Sequence, residues 1–142
     1  MKKFILISIG VLTLNLLTNN AMAQSSNSLY NSDTLCIVWT SGDPDVAMKM
    51  VFMYANTAKK NRWFDEVQLI VWGPSAKLAS ENKEIQETLV KMVENGVKIE
   101  ACKACADQYG VSQNLKTLGI EVKYMGKPLT EILKSNKKLM TF

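Results

Sequence analysis

Histidine is missing from all 142 residues of this chain. Its absence removes Ser-His-Asp and Cys-His nucleophilic catalysis, together with histidine ligation of metals. Cysteine is scarce: Cys36, Cys102 and Cys105 are too few for a disulfide scaffold, and one must stay unpaired within the chain. Two close cysteines and a distant third also make a poor structural zinc site. Neither Ser41-Gly42 nor Gly73-Pro74-Ser75 has the spacing of a P-loop or a Gly-X-Gly-X-X-Gly turn, so phosphate binding is unsupported. No repeat, low-complexity tract or interdomain linker interrupts the chain.

Long apolar runs are also lacking, apart from one at the N-terminus. There Lys2 and Lys3 form a positive start, and Phe4 to Leu17 form an apolar stretch broken only by Ser8, Gly10, Thr13 and Asn15. Ala21-Met22-Ala23 follows as a small-residue cleavage site before Gln24. The run is too short and interrupted for a stable transmembrane helix. Residues 1–23 are therefore expected to be a signal peptide, leaving a periplasmic or secreted protein with no membrane span after cleavage; the rival is a retained N-terminal anchor. A lipoprotein would carry a cysteine just after the signal, whereas the first here is Cys36. Without Lys2 and Lys3, the 17 basic residues become 15 against 13 acidic ones, an excess too small for a nucleic-acid footprint.

Residues 24–33 are rich in Ser and Asn with little apolar content, and are expected to be a disordered leader. Residues 34–142 suffice for one domain with a single core. Thr34 to Thr40, Glu66 to Trp72, Val97 to Ala101, Ile120 to Tyr124 and Leu139 to Phe142 read as strands, the first two as nearly continuous apolar runs. Between them lie helical patterns. Ala47, Met50, Val51, Tyr54 and Ala58 form one stripe; Ile85, Leu89, Met92 and Val93 form another, closed by Asn95-Gly96. Short helical pieces stop at Gly110 and Gly119, and Pro128 can open a last helix through Leu133. Strands alternating with helices, without hairpin signals, predict an α/β fold: a three-layer α/β/α sandwich with a parallel sheet of about five strands.

In such a sheet, chemistry gathers where strands end and loops lead into helices. The exits hold Trp39 to Asp43, Trp72 to Ser75, Cys102 to Cys105 and Tyr124 to Gly126. Cys102-Lys103-Ala104-Cys105 thus falls on the functional edge. A thiol between a strand and a helix N-terminus is favoured as thiolate, the form that attacks electrophilic sulfur. Lys103 adds a cation if it folds back, and Cys105 is about one helical turn on, within reach of Cys102. The pair reads as a nucleophile with a resolving thiol, as a closed structural disulfide, or as a coincidence of small residues. Cys36 lies about 13 Å from its own strand's exit, too far for pairing with Cys102, and reads as a small buried hydrophobe. Trp39 and Trp72 could wall a pocket beside the cysteines, together with Ser41 and Ser75, or could simply cap a core or fill an interface. Asp43 could accept a proton, although helix capping explains it fully.

The run from Cys102 to Val111, with Gly110 eight positions after Cys102, resembles the active-cysteine segment of the DsrE/TusD sulfur-relay family (DsrE/DsrF-like). Thr40-Ser41-Gly42-Asp43, Trp72-Gly73-Pro74 and Gly119-Ile120-Glu121-Val122 extend the likeness from about Thr34 to Phe142. The resemblance implies a five-stranded parallel sheet within an α/β/α sandwich, assembly as trimers or hexamers, and a sulfur-accepting role for Cys102 without metal or organic cofactor. Cys105 departs from the pattern, standing where relay subunits typically have a small residue; a disulfide between the two thiols would expel a bound sulfur atom. An exported chain also cannot serve tRNA thiolation, the cytosolic task of the TusD branch.

Three readings follow. The first is an exported protein that accepts, stores or transfers sulfur as a persulfide on Cys102, with Cys105 resolving and a sulfur compound or carrier protein as partner. The second is a thiol-disulfide oxidoreductase, although the Trp-Cys-Gly-Pro context of thioredoxin is absent. The third is a non-catalytic binding or assembly module with Cys102 and Cys105 locked in a disulfide. The first requires Cys102 to be ionised and open to substrate at the rim of the sheet.

Overall fold

The computed structural model describes residues 33–142. The expected signal peptide, and the leader as far as Ser32, lie outside the described residues.

Five strands form a parallel sheet: β1 (Thr34–Trp39), β2 (Glu66–Val71), β3 (Lys98–Cys102), β4 (Glu121–Lys123) and β5 (Lys138–Thr141). Their order across the sheet is β4-β3-β2-β1-β5. In β1 every residue is buried, as an apolar run covered on both faces requires. Each expected strand exists, with ends shifted by no more than a residue or two.

Handedness distributes the helices. The chain steps from β1 to β2, β3 and β4 in one direction, then returns past β1 to β5. Right-handed crossovers place the first three connections on one face and the last on the opposite face. The first face therefore carries α1 (Pro44–Val46), a π-helical segment (Ala47–Phe52), α2 (Met53–Lys60), α3 (Pro74–Glu81), α4 (Lys83–Glu94), α5 (Lys103–Gln108) and α6 (Ser112–Thr117). Val51, Phe52, Leu89, Met92 and Leu115 pack there with Leu35, Ile37, Leu69 and Ile99. Among the described residues the second face carries only α7 (Gly126–Leu133), whose Ile132 joins Cys36, Val38, Ile70, Cys102 and Met125 in a smaller cluster. The three layers are present but unequal.

Two helical details differ from expectation. The first helical stretch buries Ala47, Val51, Phe52, Ala55 and Ala58, leaving Met50 half exposed and Tyr54 partly exposed. The cause is the π-helical segment, whose wider turn delays the inward face by about one residue and turns Phe52 inward. Between β2 and β3 there are two helices. Asn82 ends α3 in an extended conformation, and its side-chain oxygen accepts a hydrogen bond from the Ile85 N–H, capping α4. Among the described residues, no helix is long and apolar enough to cross a membrane.

Candidate functional site

Alternation along β3 sends Ile99 and Ala101 into the larger core and leaves Lys98, Glu100 and Cys102 on the α7 face. Cys102 is the last residue of β3 and the N-cap of α5, extended at φ −67° and ψ 109°. One helical turn later Cys105 joins the edge of the same apolar cluster, beside Trp72. The Cys102 side chain and the Gly73 backbone both bear on the Cys105 thiol. Burial, more than any other influence, raises its pKa above the ordinary thiol range; the Cys102 side chain acts in the same direction, while the Gly73 backbone opposes it. All three cysteines are free thiols.

Cys102 is less open than the sequence led one to expect. Its side chain lies at the rim of the sheet, yet only 4% of the residue is exposed, whereas Cys105 is partly exposed. The reason is the last crossover: Met125, fully buried, follows β4 directly and packs into the same cluster as Cys102.

Other candidates divide between the two faces. Trp39 does not wall the cysteines: it faces the larger core, fully buried, with its ring edge-on to Phe52 at 5.0 Å. Trp72, on the opposite face, does stand beside them and is partly exposed. Ser75 is fully buried and structural. Its hydroxyl donates to the Trp39 carbonyl at 2.6 Å and accepts from the Trp72 N–H at 3.0 Å, sewing the first two strand exits together. Asp43 caps α1, accepting from the Asp45 N–H at 2.7 Å, and Ser41 accepts from the Asp43 N–H at 3.1 Å. Lys103 does not fold back over Cys102. Its ammonium pairs with Asp107 and lies 5.4 Å from the centroid of the Tyr124 ring. Asp107 is held below the usual carboxylate range, first by the Lys103 hydrogen bond and then by one from Ser112.

Cys36 shares the α7 face but not the site. It is level with Lys98, two strands away and four residues below Cys102, which places the sulfurs about 16 Å apart. It donates to the Gln68 side-chain oxygen at 3.4 Å, and burial raises its thiol above the ordinary range.

The sequence pattern of the DsrE/DsrF-like family matches residues 33–142. The chain belongs to the DsrE/DsrF-like family. A solved relative, the conserved protein of unknown function BT1422 from Bacteroides thetaiotaomicron, is 38% identical with a TM-score of 0.76, covering 78% of this chain and 95% of its own. The YchN protein of E. coli is 18% identical with a TM-score of 0.60, covering 79% of this chain and 100% of its own; it supports the fold alone. None of the curated proteins matches this chain.

This DsrE/DsrF-like chain also carries a polar network that went unnoticed in the sequence. Glu100, 1% exposed, accepts Lys98 at 2.6 Å and Lys123 at 2.7 Å on one oxygen and the Gln68 amide at 2.6 Å on the other. Burial alone would raise its pKa; hydrogen bonds from Lys123 and Lys98 overcome this and hold the carboxyl below its ordinary range. The signal available was an acid and a lysine, Glu100 and Lys98, alternating with the apolar Ile99 and Ala101.

Proposed function

We propose that this chain accepts and carries sulfane sulfur as a persulfide on the Cys102–Cys105 pair, with Cys102 holding the sulfur and Cys105 as its second thiol. The observation that carries the reading is the placement of two free thiols one helical turn apart, at one apolar cluster, where β3 passes into α5. Membership of the DsrE/DsrF-like family supports a sulfur-relay type of role. A persulfide on Cys102 would sit among apolar side chains, where water and soluble reductants reach it poorly. Release by Cys105 is atom-balanced. Its thiolate attacks the Cys102 sulfur, the Cys102 persulfide bond breaks, hydrosulfide leaves with the electron pair, and a Cys102–Cys105 disulfide remains.

The wider reading is of an exported homo-oligomer exchanging sulfur with a small sulfur compound or a carrier protein. N-terminal sequencing of the periplasmic fraction should begin at Gln24, and sedimentation should give a mass above that of the monomer.

Reduced protein exposed to inorganic polysulfide should gain one sulfur atom on the peptide containing Cys102, read by mass spectrometry after alkylation. An unchanged peptide would count against carriage. The nearness of two free thiols one helical turn apart also favours a second reading, thiol-disulfide exchange, for which insulin reduction is the discriminating assay.

A further inference from the structure

We infer that sulfur reaches the pair through Cys105 and is then passed inward to Cys102, so that the outer thiol is the port and the inner one the store. This rests on the carriage reading above and specifies its order. A donor must bring its sulfur within bonding distance of the thiol it meets, and the two thiols differ in access. Cys102 is 4% exposed inside the cluster closed by Met125 and Ile132; Cys105 stands partly exposed at the edge of that cluster, beside Trp72. The two stand one helical turn apart at the same cluster, so the inward step needs little movement.

The chemistry balances without an oxidant. The Cys105 thiolate attacks the outer sulfur of a persulfide donor; the donor's S–S bond breaks, and the donor leaves as a thiolate that takes up a proton. The Cys102 thiolate then attacks the outer sulfur now on Cys105. That S–S bond breaks, Cys105 departs with the electron pair, and the proton given up by Cys102 returns to it. One sulfane sulfur has moved and nothing is oxidised or reduced overall.

The surroundings of Cys105 suit both steps. The Gly73 backbone favours its thiolate during attack and departure, and φ of 68° at Gly73 is a conformation glycine adopts freely. Burial and the Cys102 side chain favour a protonated Cys105 at rest, which favours the end state in which Cys102 holds the sulfur. Loading should therefore quicken as the pH rises above neutrality.

The test compares the wild type with Cys105→Ser, Cys102→Ser and Cys102→Ala in the full chain. Each is checked for a native circular dichroism spectrum, exposed briefly to inorganic polysulfide, alkylated and mapped by peptide mass spectrometry. The Cys102 variant that keeps the native spectrum should load Cys105 at the wild-type rate. In Cys105→Ser, loading of Cys102 should fall by about tenfold or more, because reaction then waits on local opening, and denaturant should restore it. Wild-type-rate loading of Cys102 in natively folded Cys105→Ser would overturn the order while leaving carriage intact. No sulfur on either cysteine of the wild type would overturn carriage and the order with it.

Discussion

A carboxylate sunk into a sheet face stays charged only if cations reach it, and Glu100 has two. Lys98 and Lys123 remain 62% and 35% exposed, so each keeps part of its hydration while giving hydrogen bonds to the buried oxygen. Removing one partner of a buried pair usually costs about 3–5 kcal/mol; because these lysines can turn to water, Glu100→Gln should cost nearer 2 kcal/mol in urea unfolding. The pH dependence has a definite sign. A carboxyl depressed in the folded state contributes fully above its unfolded value and loses that contribution as the pH falls through the folded one. Glu100→Gln should accordingly flatten the acid limb of the stability profile, and an unchanged limb would refute the role given to the network. The alternation of Lys98, Glu100 and Cys102 was legible in the sequence. Their partners were not, because Gln68 and Lys123 stand 32 and 23 residues away from Glu100.

Elements obey local rules until a neighbour intervenes. Capping and turn signals placed several helix boundaries, with Asp43 before Pro44 at the start of α1, Asn95-Gly96 after α4, and Gly110 and Gly119 past the ends of α5 and α6, whereas α7 starts at Gly126, two residues before Pro128. The π-helical segment escaped notice because its stripe still repeats at three and four, and only packing distinguishes Phe52 inward from Met50 outward. The turn from β2 into α3 offers the sharpest test at this scale. A Cβ at Gly73 would meet nothing within 4 Å, so Gly73→Ala changes backbone preference alone. It should cost about 1–3 kcal/mol if the turn is kept. If the turn relaxes instead, the Gly73 backbone no longer favours the Cys105 thiolate and native-state alkylation of Cys105 changes rate. Wild-type stability together with a wild-type alkylation rate would show that this backbone is unimportant to the thiol.

At the scale of the whole molecule, unequal layers follow from strand order. Among the described residues, three successive crossovers thicken one side, while the single return past β1 gives the other only α7. Core substitutions should register this asymmetry. Leu69→Ala, fully buried in the larger cluster, should lower stability by about 3 kcal/mol, whereas Leu139→Ala, partly buried against the smaller one, should cost about 1 kcal/mol. Similar losses in thermal or urea melts would contradict it. The same asymmetry keeps the polar residues of β2, β3 and β4 beside a cleft of about 340 Å³ instead of beneath a second helix.

The amino-acid order alone determined that strands and helices alternate, that the sheet is parallel, and that Cys102 ends the third strand with Cys105 one turn on. Those properties depend on short-range periodicity and stop signals, which act within a few residues. Only the tertiary structure decided that Cys102 is covered and Cys105 reachable, that Lys103 turns to Asp107, and that Trp39 and Trp72 point to opposite faces. Exposure is settled by which helix lies across which strand, and that depends on crossover handedness and on residues distant along the chain.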